Sequence, residues 1–211
     1  MKSAIKRYVS ELAIPLGVPL AVIGVVALVL SLVATNLAVS HVLTHQGYEN
    51  YTLAKPVAMQ RVIRQTQVDR FGGRVSSAFG IKQSVATEFA DWILEASERQ
   101  DLAPELLASL VLTESSFRKD VRSNVGAVGP AQIRPDYWGS FCGVDDLHDP
   151  EQNIYCGAQI LSHLLERCGG DRTCALGAYN VGPYANRANA AARYVSKVVR
   201  YQDSLEAAAS L

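Results

Sequence analysis

The sequence has no surplus of either charge: twenty basic and twenty acidic residues cancel over 211 positions. No cluster of Lys and Arg stands out that could follow a phosphate backbone, which removes nucleic acid as a partner. The cysteines never form Cys-x-x-Cys pairs and the four histidines do not accompany them at ligand spacing, so a structural zinc site is excluded. No alternating stretch of strand length and no internal repeat occurs, which leaves a mainly α-helical chain with at most a small hairpin. One further absence is local: from Leu12 to Ser40 there is no charged residue.

That charge-free stretch is dense in Val, Leu, Ala and Ile over Leu20–Leu37. It reaches the roughly 20 apolar residues that a membrane-spanning helix needs. We expect a transmembrane anchor over 18–40, with Pro15 and Pro19 delaying the regular helix to about Val18. A cleavable signal peptide competes, given Lys2, Lys6 and Arg7 at the start and the small residues Ala38 and Ser40. Its apolar region, however, runs to only about 7–15 residues. The basic start, against no Lys or Arg between His41 and Ala54, keeps residues 1–17 cytoplasmic and exports the rest. Removing Lys2, Lys6, Arg7 and Glu11 leaves 17 basic and 19 acidic residues outside, which does not suggest adhesion to an anionic lipid surface.

All four cysteines, Cys142, Cys156, Cys168 and Cys174, fall in that exported part, where an even number favours disulfides. Proximity favours Cys142–Cys156 and Cys168–Cys174, although spacing alone leaves all three pairings open. Residues 41–82 read as a juxtamembrane spacer with a short helix over Val57–Val68, since Phe71-Gly72-Gly73 and Phe79-Gly80 interrupt any longer one. A folded amino-terminal part of the following domain is the alternative for its second half.

The main domain is expected over 83–205, followed by a tail at 206–211. Ser84 can cap a helix in which Val85, Phe89, Trp92, Ile93 and Ala96 recur up to Arg99. Pro104 suits the first turn of the next, with Leu106, Leu107, Leu110 and Val111 on its apolar face. Asp149-Pro150-Glu151-Gln152 starts a helix lined by Ile154, Ala158, Leu161 and Leu165, stopped by Gly169-Gly170. Asp171 can cap another, ended by Gly182-Pro183, and Ala185–Leu205 forms the last, with Tyr194, Val198, Tyr201 and Leu205 on one side.

Glu114 follows Leu110 by four and Val111 by three, so a carboxylate shares the buried face of its helix. Burial penalises its charged form and raises its pKa, as a general acid acting on a glycosidic oxygen requires. The plain alternative is a carboxylate paired with Arg118 or Arg122. Ser115 lies at the helix end, Ser123 can bond a sugar substituent, Gly126 and Gly129 allow close backbone approach, and Gln132 can donate and accept.

Glu114-Ser115, Ser123, Gly126, Gly129 and Gln132, followed by Ala178-Tyr179-Asn180-Val181-Gly182-Pro183, resemble the soluble-lytic-transglycosylase-like domain, related to goose-type lysozyme. The helix carrying Asn153-Ile154 and Gly157 resembles the one that precedes the Tyr-Asn motif there, and the likeness spans about Ser84–Tyr201. Pro130-Ala131 departs from the Leu-Met common in that family, so the sugar contact made there by Met is not carried over.

The resemblance implies a lysozyme-like fold of α+β type and cleavage of the β-1,4 bond between N-acetylmuramic acid and N-acetylglucosamine. It assigns proton transfer to Glu114 and substrate contacts to Ser123, Gln132, Tyr179 and Asn180, with no metal or organic cofactor. Peptidoglycan strands are then the substrate, and components of a secretion, conjugation, pilus or phage apparatus are the possible protein partners. The expected location is the inner membrane with a periplasmic catalytic domain; a cleaved exported form and a phage virion membrane are the alternatives. Two other functions stay open: a hydrolysing lysozyme in which Asp120, Asp136 or Asp145 activates water, and a catalytically silent glycan-binding component.

Overall fold

The computed structural model describes residues 24–36, 57–182 and 187–208. The chain divides into a unit up to Val57 and another from Ala58 onward. In the first, residues 24–36 form helix α1 with exposed side chains, in which the Thr35 hydroxyl donates to the Ser31 and Leu32 carbonyls at 3.0 and 2.9 Å. Among the described residues no helix is long and apolar enough to cross a membrane. Of the spanning helix expected over 18–40 only residues 24–36 are described, and that stretch by itself falls short of the roughly 30 Å of hydrocarbon to be crossed. The cytoplasmic segment 1–17, the rest of that span, residues 41–56 and Pro183 lie outside the described residues.

The second unit is helical: α2 (Val57–Phe79), α3 (Gln83–Gln100), α4 (Pro104–Ser115), α5 (Pro135–Cys142), α6 (Pro150–Arg167), α7 (Arg172–Val181) and α8 (Ala188–Ala207). Its first helix corrects the spacer reading. Gly72 and Gly73 do not stop α2, because Val68, Phe71, Gly72 and Val75 form a buried stripe at helical spacing. A Cβ on Gly72 would lie 2.7 Å from the Thr87 Cα, so this glycine permits close crossing of α2 and α3. The packing gained outweighs the roughly 0.5–1 kcal/mol that a helical glycine costs. The folded domain thus includes the second half of the expected spacer.

Helix α3 begins one residue ahead of the expected Ser84 cap, at Gln83, and Lys82 precedes it without a side-chain cap. Ala86, Phe89, Ala90, Ile93 and Ala96 are buried along it, and Trp92 meets Phe89 edge to face at 5.1 Å. Helix α4 is buried from Leu106 through Leu112 without interruption, so it is the central rod rather than a one-faced helix. It packs against α3 and α8. The Asp149 and Asp171 caps form as read, accepting from the backbone of Gln152 and of Thr173 and Cys174. Gln152 does not close a capping box; its side-chain oxygen accepts from the Asp145 and Asp146 amides instead. The last helix starts at Ala188, later than the sequence pattern suggested, and Pro183–Asn186 lie outside the described residues.

The small hairpin is reduced to two isolated antiparallel bridges, Arg122 with Val128 and Val128 with Ile133. Helix α5 has no counterpart in the sequence reading, although Pro135 at its first position was a legible start. Both favoured disulfides are present: Cys142–Cys156 ties α5 to α6 and Cys168–Cys174 joins the end of α6 to the start of α7. Replacing Cys142 and Cys156 together by serine is expected to cost about 3 kcal/mol, the scale for a loop of this size. Thermal unfolding of the variant against wild type measures it.

Candidate active site

Glu114 sits in the last turn of α4, where the apolar rod meets the surface. The helix stops immediately after it: Ser116 and Phe117 adopt left-handed backbone at φ 55° and 58°. Such angles cost about 1 kcal/mol or more each for residues with a Cβ and persist only where packing imposes them. Phe117 supplies that packing, buried 5.2 Å from the Phe89 ring centroid. Ser115 is buried with its hydroxyl on the Val111 carbonyl at 3.1 Å, so it seats the helix end and does not face the cleft.

The salt-bridge alternative for Glu114 is not realised. Arg118 donates through Nε to the Ser115 carbonyl at 2.8 Å, and Arg122 reaches toward His148 at 3.4 Å. The partner of Glu114 is Tyr194 of α8, whose hydroxyl donates to Oε1 at 2.6 Å. Burial pushes the carboxyl up to about 7, while the Tyr194 hydrogen bond and the nearby Lys197 ammonium pull it down. A carboxyl held there can release a proton and take one back within a single turnover near neutral pH. Tyr194 itself is raised well above the usual tyrosine range, first by burial and then by the Glu114 charge, and so remains a donor.

Tyr194 is the functional side chain that periodicity concealed. Its place on the inner face of α8 suggested core packing alone. The available signal was its hydroxyl, since a buried tyrosine generally requires a hydrogen-bond partner. Because the Tyr194 hydrogen bond lowers the Glu114 pKa, Tyr194→Phe should move the alkaline fall in activity to higher pH. We expect a rate loss of roughly 10–100-fold alongside that shift, measured as a pH–rate profile.

Glu114, Ser123, Gln132, Tyr179 and Asn180 come together on one cleft of about 810 Å³. Gly126 and Gly129 do not line it. Ser123 Oγ accepts from the Val125 and Ala127 amides at 3.3 and 3.0 Å, which shapes the turn and leaves its proton available. Gln132, at φ 51°, donates through Nε2 to the Val121 and Gly129 carbonyls at 3.2 and 2.9 Å. The Tyr179 hydroxyl donates to the Ala131 carbonyl at 2.9 Å, not to Glu114. Asn180 is exposed beside it.

The reason for Gly129 differs from the expected sugar approach. A Cβ there would fall 2.3 Å from the Asn153 amide, which is fully buried. Asn153 clamps the turn from α6: Oδ1 accepts from Ala131, and Nδ2 donates to the Val128 and Leu147 carbonyls. Gly157 plays a matching part, since a Cβ there would lie 2.6 Å from the Ala131 Cβ and 3.2 Å from the Tyr179 hydroxyl. Thus the Pro130-Ala131 departure is accommodated by the same helix that positions the Tyr-Asn motif.

Glu114 is the only carboxylate among the described residues lining the cleft. Asp120 borders a different hollow with Lys119, Arg122 and His148, and neither Asp136 nor Asp145 lines the cleft.

Comparison with known proteins gives the relatives of this sequence. Residues 91–200 match the family described as transglycosylase SLT domain. A transglycosylase of Enterobacteria phage PRD1 is 41% identical over 120 residues, covering 56% of this chain and 44% of the phage protein. The membrane-bound lytic murein transglycosylase F 1 of Alkalilimnicola ehrlichii is 36% identical over 100 residues, covering 44% of this chain and 20% of its own length. Among solved structures, an inactive mutant of the lytic transglycosylase Slt from Pseudomonas aeruginosa aligns at 25% identity with a TM-score of 0.46, covering 52% of this chain and 22% of that one. The chain spans less than half the length of the curated relatives it matches.

Proposed function

Since the chain belongs to the transglycosylase SLT domain family, we propose that it is a peptidoglycan lytic transglycosylase. It cleaves the β-1,4 bond between N-acetylmuramic acid and N-acetylglucosamine and leaves a 1,6-anhydromuramoyl end. The observation that carries this reading is a single carboxyl poised at about 7 in a cleft lined by no second described carboxylate.

Glycosidases that activate water or form a glycosyl-enzyme generally use two carboxylates. With one, the nucleophile must come from the substrate. Protonated Glu114 gives its proton to the departing N-acetylglucosamine O4, and the C1–O4 bond breaks with help from the N-acetyl group. The resulting carboxylate then takes the proton of the muramoyl C6 hydroxyl as that oxygen closes onto C1. Glu114 ends as it began, and no water is consumed. Ser123 and Asn180 offer polar contacts to the sugars, Tyr179 and Gln132 brace the wall that carries them, and Ser115, Gly126 and Gly129 shape the backbone around Glu114.

The finer placement is also proposed. The charge-free sequence over Leu12–Ser40 and the exposed apolar side chains of α1 support a single-pass anchor over 18–40. With residues 1–17 cytoplasmic, the folded domain lies in the periplasm, where its two disulfides are at home. There it opens the wall locally for a secretion, conjugation, pilus or phage apparatus. Mass analysis of digested peptidoglycan tests the chemistry: anhydromuramoyl ends are expected, and reducing ends in their place would make the protein a hydrolase.

A further inference from the structure

Arg134 and Arg187 line the cleft that holds Glu114. Elsewhere in the domain Arg64, Arg74, Arg99 and Lys119 each meet a carboxylate. Among the described residues no carboxylate lies within 4.0 Å of either cleft arginine, and Asp136, two positions from Arg134, makes no ion pair with it. The Arg134 guanidinium carbon rests 4.2 Å from the Tyr137 ring centroid, a cation–π contact that holds the group against the ring. Its Nε is sealed from solvent with no hydrogen-bond partner. An arginine that merely solvates a surface keeps that nitrogen wet. Glu114, the carboxylate among the described lining residues, must be neutral when it acts as acid. The cleft therefore presents cationic charge with nothing of its own to balance it.

We propose that Arg134 and Arg187 are a carboxylate-reading pair that selects glycan bearing free acid groups. This inference rests on the transglycosylase reading and adds a substrate class to it. Peptidoglycan carries such groups in two places: on its stem peptides, and on the lactyl side chain wherever a stem has been removed. Arginine forks match a carboxylate with two parallel hydrogen bonds, and Tyr137 holds the Arg134 fork in place before substrate arrives. Arg134 lines the cleft beside Tyr137 and Trp138 of α5.

The test compares cleavage of four preparations by the 211-residue chain: strands with intact stems, strands stripped by an N-acetylmuramoyl amidase, and each of these with its carboxylates converted to amides. We expect wild type to prefer acid over amide strands by about tenfold or more in kcat/KM, from the strength of hydrogen bonds to charged groups. The arm showing that preference identifies stem or lactyl carboxylate as the group read. In Arg134→Gln and Arg187→Gln the acid-to-amide ratio should fall toward one, through KM, while Arg134→Lys keeps part of it. Because the ratio is taken within each enzyme variant, partial misfolding does not alter it. A wild-type ratio near one, or a ratio unchanged in both glutamine variants, overturns the proposal. Absence of anhydromuramoyl product from every preparation would instead overturn the transglycosylase reading.

Discussion

Glu114→Gln should lower glycan cleavage roughly 10³-fold, within the range that general acid–base groups contribute, because no other described carboxylate lines the cleft to substitute for it. Equal turnover by variant and wild type would remove Glu114 from the mechanism. The same substitution has a second, opposite consequence for stability. Folding holds the Glu114 carboxyl at about 7, above its ordinary 4.5. Below pH 4.5 both folded and unfolded chains carry the proton and the group contributes nothing to their difference. As the pH rises from 4.5 toward 7 the unfolded chain releases its proton first, so wild type loses stability through that window and carries the full penalty above it. Glutamine never ionises. The variant should therefore unfold at the same denaturant concentration as wild type near pH 4 and be about 1–2 kcal/mol more stable at pH 8, a figure discounted for the part-exposed side chain. An inactive enzyme whose gain in stability appears only as the pH rises above about 4.5 separates lost chemistry from lost folding.

Gly129→Ala is expected to be the most destabilising small substitution in the site, at about 3–4 kcal/mol, by combining left-handed backbone with overlap against a buried amide. The new methyl would meet the Asn153 side chain at 2.3 Å, and Asn153 cannot retreat without releasing its bonds to Ala131, Val128 and Leu147. Gly126→Ala is the matched comparison. Gly126 also has positive φ, 85°, but nothing lies within 4 Å of its Cβ position, so only the backbone cost of about 1 kcal/mol applies. Chemical denaturation of the two variants measures the difference; equal losses would show that the Asn153 clamp is not rigid. Activity should follow stability, since the clamped turn carries Ser123 and Gln132.

Most of the helices, the Asp149 and Asp171 caps and the favoured disulfide pairing were legible because each is a local property. Asp149 and Asp171 bond amides two or three residues away, and the cysteines that pair lie 14 and 6 residues apart. Glu114 was legible for a related reason: a carboxylate on the buried stripe of its own helix is visible without knowing what covers it. The spacer boundary was misread because Gly72 and Gly73 look like helix breakers to any local rule. What keeps α2 continuous is the approach of Thr87 from another helix.

Gly129 and Gln132 were found as members of a motif but with incomplete reasons. Only the folded chain brings Asn153 against the first and turns the amide of the second onto the backbone carbonyls of Val121 and Gly129.

The sequence by itself therefore determined a helical domain, the helix that carries Glu114, the motif residues Ser123, Gln132, Tyr179 and Asn180 that share its cleft, and the family to which they belong. Periodicity, capping and short cysteine loops act over a few residues, and a motif keeps its order along the chain. Only the tertiary structure decided how Glu114 is tuned. Its proton affinity depends on the hydroxyl of Tyr194, 80 residues away, on Lys197 and on the depth of the apolar wall. Desolvation and charge act through space, and spacing along the chain does not encode them.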